Sequence, residues 1–366
     1  MINNLQELNE LAISYDLPFE DVLFINLNRQ GIITDLNYER IRFYFSPLNN
    51  SYFEKSIKQR VNEYFFAVPT HSGFSNFYLR GNRLFFKKEE IGKVHNIHND
   101  TCDSVYPRRN GTVFNLNTQS KSLCRGCAFC HTFKQSANDI INLTSKEFIG
   151  EQIIKWLIKY KISNLSNLFR VDVVTGCFDN EEKALAHLFF VRKIFSKFGF
   201  NGEIFYYGSE ITSKVAFDEL ETIKPFSFCL SLECFKNRNK LLKKQKGIIS
   251  LENAKRILEM SKKRKFGTQF SYILGLEPLD FMIEKMKEFL PYINRLPVIN
   301  IFQPHTPHQK KMLDSNALRL EYFLNARKHL EKIFRNKNYK PRTWGNYRCL
   351  WYLKFGKEQL LGSRLP

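Results

Sequence analysis

The chain has 366 residues, enough for one large domain or two to three smaller units around a sizeable core. Its hydrophobic fraction of 43% is ordinary for a globular protein, and no apolar run reaches the length of a membrane span, so no membrane partner is expected. The formal net charge of +20 admits two readings: attraction to polyanions such as nucleic acid, or a solvated Lys-rich surface.

The N-terminus, Met1-Ile2-Asn3-Asn4-Leu5, has no basic region followed by an apolar stretch. No signal peptide is evident, and a reducing, cytoplasmic setting is expected, where cysteines serve metals rather than disulfides. Residues 21–27 and 41–45 read as strands, the second with clean alternation. Residues 78–86 read as a hairpin turning at Gly81-Asn82. The polar stretch 95–111 reads as a loop and a boundary.

From Thr112 the pattern changes to alternating strand and helix. Strands are expected at 112–116, 168–175, 202–207, 226–232, 268–274 and 298–302. Helices are expected at 146–160, behind the capping box Thr144-Ser145-Lys146-Glu147, and at 181–198, 250–263 and 280–290. Such alternation means parallel strands with helices outside. Six units suggest an α/β fold built on a partial (β/α)6 TIM-like barrel, with function at the C-terminal strand ends. The expected division is an N-terminal α+β accessory domain (1–110), the barrel (111–310) and a C-terminal extension (311–366). The extension holds a helix at 316–334 and aromatics around Trp344, Tyr347, Trp351 and Tyr352.

The most informative segment is Cys124-Arg125-Gly126-Cys127-Ala128-Phe129-Cys130, followed by His131. Thiolates so close converge on one soft metal centre. Three thiolates leave one iron of a four-iron cluster open to a cofactor. Alternatively, a zinc knuckle could complete its four ligands with Cys130 or His131, or the thiols could simply be buried.

The ordered set of cysteine triad and six strand units resembles the radical S-adenosylmethionine (radical SAM) superfamily over residues 112–310. Phe129 matches the family's aromatic before the last cysteine. Gly176-Cys177-Phe178-Asp179 resembles its glycine-rich, acid-containing segment for the methionine amine. Ser231-Leu232-Glu233, then Lys246-Gly247 and a helix, then Ile273-Leu274-Gly275-Leu276-Glu277, resemble its fourth and fifth strand segments. One feature departs: two residues separate Cys124 from Cys127 where the family usually has three, which makes His131 a candidate extra ligand.

The resemblance implies a [4Fe-4S] cluster on Cys124, Cys127 and Cys130. S-adenosyl-L-methionine (SAM) would chelate the fourth iron, and one electron would cleave it to a 5′-deoxyadenosyl radical. An electron donor such as flavodoxin or ferredoxin is implied, as is a small-molecule or peptide substrate. Gly176 would admit the methionine end or merely make a tight turn. Ser231 and Glu233 would meet the ribose, and Glu210 the ribose or substrate. Arg238 would pair with the methionine carboxylate, although the basic run 236–246 reads first as solvated surface. Glu277 would shape the adenine side. Cys177 and His305, at the second and sixth strand ends, are the candidates to move hydrogen in catalysis; His308 lies close by. Cys102, Cys229, Cys234 and Cys349 read as structural. Rival functions are an RNA-modifying radical SAM enzyme and a zinc-knuckle nucleic-acid-binding protein.

Overall fold

A computed structural model describes residues 2–54, 58, 63–71, 75–100, 105–108, 112–116, 126–130, 146–174, 178–335, 339–341 and 348–360. It divides into two compact units. One comprises residues 1–100, 273–287 and 298–366, the other residues 101–272 and 288–297.

The first unit opens with helices α1 (Leu5–Ser14) and α2 (Phe19–Gln30). The Asn4 side chain caps α1 by accepting from Glu7 N at 2.8 Å. The strand expected at 21–27 is instead the middle of α2. Its residues Val22 to Leu27 are buried on every side, so the apolar run shows neither helical nor strand period. The end signals decide: Pro18 before the helix, Glu20 and Asp21 in its first turn, and Gly31 after it at φ 69°.

An antiparallel sheet follows, in the order β2-β1-β5-β4-β3. Its strands are β1 (Arg40–Pro47), β2 (Tyr64–Pro69), β3 (Phe77–Arg80), β4 (Arg83–Phe86) and β5 (Glu89–Asn99). Alternation in β1 buries Ile41, Phe43 and Phe45 completely, and the Phe45 ring meets Phe24 of α2 edge-on at 5.9 Å. The expected hairpin is present as β3–β4, with Gly81 at φ 58°. The expected loop at 95–111 is corrected. Strand β5 runs on to Asn99, because its polar residues pair with β1, and residues 105–108 form β6 (Val105–Arg108).

The C-terminal aromatics within the described residues are core. Trp351 and Tyr352 are 1% exposed, and Tyr352 packs on Phe24 at 5.1 Å. Arg327, in the helix Leu320–Ile333, pairs with Asp21 of α2 at 2.8 Å. Trp344 and Tyr347 lie outside the described residues.

The second unit carries β6, β7 (Val113–Leu116), β8 (Arg170–Val174), β9 (Glu203–Gly208), β10 (Phe226–Glu233) and most of β11 (Gly267–Leu274). The sheet order is β12-β11-β10-β9-β8-β7-β6, with β12 at Val298–Ile301. Strands β7 to β11 pair in parallel, each with its sequence neighbour, and β6 pairs antiparallel to β7. The six strands from β7 form the curled parallel half-barrel expected from the alternation. Helices at Lys146–Tyr160, Glu181–Lys197, Lys214–Leu220 and Leu251–Lys263 fall between strands. Asn180 and Ser250 cap two of them. Residues 144 and 145 of the proposed capping box lie outside the described residues.

Strand β10 shows how the sequence sorts its faces. Phe226, Phe228, Leu230 and Leu232 alternate with Ser227, Cys229, Ser231 and Glu233. Phe228 meets Phe217 of the helix Lys214–Leu220 at 5.2 Å, so the apolar set faces the helices. The polar set therefore lines the opposite, inner face.

Candidate active site at the cysteine loop

The inner face of the second unit balances its charges in buried and partly buried pairs. Arg170 donates to Asp172 at 3.0 Å, and Arg295 donates to Glu203 at 3.0 Å. Toward the C-terminal strand ends, Lys246 Nζ lies 3.3 Å from Glu233 Oε1 and also donates to Ser231 Oγ. The Ser231 hydroxyl donates to Glu233 Oε1, as does the Tyr207 hydroxyl at 3.3 Å. Burial pushes the Tyr207 phenol well above its ordinary range, and the Glu233 carboxylate adds to the rise. Glu233 has φ 69°, a left-handed backbone that costs a non-glycine residue and is held here by the surrounding bonds.

One strand away, Glu210 follows β9. Its Oε2 accepts from the Tyr206 hydroxyl and from Ser209 N, each at 2.8 Å, and its Oε1 accepts from Lys243 Nζ at 3.3 Å. Burial alone would raise the Glu210 carboxyl. The Lys243 ammonium and the Ser209 N–H outweigh it and hold the group below the usual carboxylate range.

The cysteine loop sits against the segment that follows β10. Cys130 N donates to Cys127 O at 2.9 Å, a turn that puts both thiols on one short loop, entered through Gly126 at φ 72°. Cys127, 7% exposed, packs with Cys234 and Leu242, and Phe129, Cys130 and Leu241 flank them. Two bonds cross between the segments: Ala128 N donates to Leu241 O at 2.8 Å, and Lys243 N donates to Cys127 Sγ at 3.5 Å. Burial pushes the Cys127 thiol up; Lys246 and the Lys243 N–H pull it back. An N–H aimed at sulfur suits a thiolate ligand, so this half of the donor set fits a soft metal or cluster. Cys124 and His131 lie outside the described residues.

The other candidates divide by unit. Gly176 and Cys177 lie outside the described residues. Arg238, in the second unit, is buried. Its guanidinium donates to Leu232 O, Cys234 O, Lys246 O and Ile249 O at 2.6–3.2 Å, closing the loop after β10. Glu277 and His305 belong to the first unit. Glu277 is 1% exposed, and its carbonyl accepts from the Tyr322 hydroxyl at 2.7 Å. His305 Nε2 lies 3.3 Å from Arg40 Nη1. A guanidinium only donates, so Nε2 accepts and a neutral ring carries its proton on Nδ1.

The sequence reading missed Lys243 and Tyr207. It also allowed that 236–246 is solvated, whereas Arg238, Lys243 and Lys246 are buried. A signal was available: two lysines three apart, both on the inner side of a turn, downstream of two glutamates at neighbouring strand ends.

Fold and site together define a class, a parallel α/β half-barrel with a thiol-bearing loop beside buried carboxylate–lysine pairs at its strand ends. No family model and no curated protein matches the chain. Similar solved structures include Streptococcus suis SuiB bound to S-adenosylmethionine, at 12% identity and TM-score 0.38, covering 58% of this chain and 46% of that one. SuiB bound to the precursor peptide SuiA aligns at 14% identity and TM-score 0.37, covering 63% and 48%. The radical S-adenosylmethionine methyltransferase TsrM from Kitasatospora setae, with cobalamin and a [4Fe-4S] cluster bound, aligns at 11% identity and TM-score 0.36, covering 54% and 38%. The chain spans less than half the length of each of these proteins.

Proposed function

We propose that this chain is a radical SAM enzyme, with Cys124, Cys127 and Cys130 holding a [4Fe-4S] cluster. The observation that carries the reading is the docking of the cysteine loop on residues 241–243, a segment whose Lys243 pairs with Glu210 and which leads to the Glu233–Lys246 pair. When bound, the cluster would supply the electron that cleaves SAM to a 5′-deoxyadenosyl radical.

The chain's own residues would bind and orient. Ser231 and Glu233 present a hydroxyl and a carboxylate suited to ribose hydroxyls. Lys246 Nζ stands 3.3 Å from Glu233 Oε1 at the same spot. Gly176 would receive the methionine end, and Glu210 would meet the ribose or substrate. Phe129, packed next to Cys127, would shield the thiolates from water. Arg238 would act by holding the loop rather than by meeting a ligand, since four carbonyls engage it. Glu277 remains the candidate for the adenine side. Cys177 and His305 remain the candidates to move hydrogen to or from substrate. The substrate would be a small molecule or a peptide, the electron donor a flavodoxin or ferredoxin, and the compartment the cytoplasm. Among the described residues no helix is long and apolar enough to cross a membrane.

The densest basic run offers a nucleic acid less than its count of cations, because Arg238, Lys243 and Lys246 are spent on internal partners while Lys236 and Lys240 are exposed. The test is anaerobic reconstitution with iron and sulfide, followed by SAM and dithionite, with mass spectrometry for 5′-deoxyadenosine. A protein that binds iron and sulfide and releases 5′-deoxyadenosine supports the reading; a colourless zinc protein refutes it.

A further inference from the structure

We propose that Lys243 is a positioning residue that sets the reduction potential of the cluster, an inference that rests on the cluster assignment above. Its backbone carries the first observation. Lys243 N–H donates to Cys127 Sγ at 3.5 Å, while Leu241 O accepts from Ala128 N at 2.8 Å. The two bonds run in opposite directions and fix the cysteine loop from both sides. A hydrogen bond to a ligating sulfur draws charge off it, and such bonds are a principal lever on cluster potential.

The side chain carries the second observation. Lys243 Nζ lies 3.3 Å from Glu210 Oε1, and the two side chains are 1% and 6% exposed. Water screens such a pair little, so its charges are felt at the neighbouring loop. Glu210 is itself fixed by the Tyr206 hydroxyl and Ser209 N. The pair therefore tethers the segment after β10 to the end of β9 and holds the Lys243 N–H against the sulfur.

These two roles separate by sign. Reduction adds negative charge to the cluster. An ammonium nearby favours it, and a carboxylate nearby opposes it. Lys243→Met removes the cation and leaves Glu210, so the potential should become more negative. Glu210→Gln removes the anion and leaves the cation, so it should become less negative. The double variant should fall between them. A tether with no electrostatic part is broken by either change and moves both single variants the same way.

The experiment is a redox titration, followed by electron paramagnetic resonance, of the full chain reconstituted anaerobically without SAM. Opposite shifts in Lys243→Met and Glu210→Gln support the proposal. Shifts of the same sign, or none, overturn it while leaving the cluster assignment standing. A wild-type chain that holds no cluster overturns both. Should Lys243→Met fail to hold a cluster, Lys243→Arg and Lys243→Arg/Glu210→Gln take its place, because an arginine cannot lose its proton. The first should stay near wild type and the second should become less negative; any other pattern overturns the proposal.

Discussion

Glu233 Oε1 and Lys246 Nζ lie 3.3 Å apart, with side chains 6% and 10% exposed, at a residue whose backbone is left-handed. Ser231 and Tyr207 converge on the same carboxylate oxygen. A strained backbone, a buried ion pair and two hydroxyls at one strand end are costly to keep together. That cost is what a ligand-binding position at the mouth of a half-barrel would justify.

Glu233→Gln should weaken SAM binding while leaving iron and sulfide content unchanged. The substitution keeps the shape and removes the charge from the hydrogen bonds that Glu233 would make to the proposed ribose. Charged hydrogen bonds contribute about 1.5–3 kcal/mol, so affinity should fall roughly ten- to a hundredfold. Equilibrium dialysis of the reconstituted protein measures this directly. An unchanged affinity would remove Glu233 from the cofactor site.

Asp21 and Arg327 should be a stability determinant with no part in the chemistry. Their side chains are fully buried and 2.8 Å apart, and Asp21 Oδ1 also accepts from the backbone N–H groups of Tyr352 and Leu353. Arg327→Met leaves the Asp21 charge buried without its cation, which costs about 3–5 kcal/mol, whereas Asp21→Asn leaves Arg327 with Glu331 Oε1 at 2.9 Å. Arg327→Met should therefore lower the unfolding free energy on that scale in urea titrations and Asp21→Asn by less, and the double variant should lose less than the sum. Additive losses would mean the two groups are not coupled.

The alternation of the half-barrel was legible because its strands are short and helices between them open on side-chain caps, as at Asn180, Ser213 and Ser250. In β10 the two-residue period even separates Ser227, Cys229, Ser231 and Glu233 from their apolar neighbours. Residues 21–27 were illegible for the opposite reason. That helix is covered all round, so its apolar run has no period and only its end signals speak. Of the candidate site, the placement of Glu210 and Glu233 at strand ends was legible. Lys243 and Lys246 were not, because a basic run looks solvated until the chain folds it inward. Nothing local announces that Asp21 meets Tyr352, a partner 331 residues away.

Asp100 should give the first unit an acid-sensitive component. Burial would raise its pKa, but Arg40, Arg42 and Arg348 lower it from 3.8 to about 2. A carboxyl depressed in the folded state stabilises fully above its unfolded pKa and loses that effect as pH falls through its folded value. The stability gap between wild type and Asp100→Asn should therefore be flat from neutral pH down to about 5 and close between about 4 and about 2. Urea titrations across that range measure it. A gap that stays open at the acid end would mean that the ion pairs with Arg40 and Arg42 do not supply it.

The last prediction separates ligation from proximity among the cysteines. Cys127 and Cys234 are packed together with Leu242, so closeness alone does not say which thiol binds iron. The loop geometry does distinguish them. Cys127 and Cys130 share one turn, and an N–H points at the Cys127 sulfur. Cys234 instead follows the end of β10, its carbonyl held by Arg238, and it is completely buried. Cys127→Ala or Cys130→Ala, like Cys124→Ala, should abolish the brown chromophore and bound iron. Cys234→Ala should retain both, at a packing cost of about 1 kcal/mol in stability. Cys229→Ala should behave in the same way, since its thiol lies within β10 and burial pushes it well above its ordinary pKa. Iron and acid-labile sulfide assays on the five variants decide the matter. Loss of iron from Cys234→Ala with retention in Cys124→Ala would move the third ligand from the loop to the end of β10.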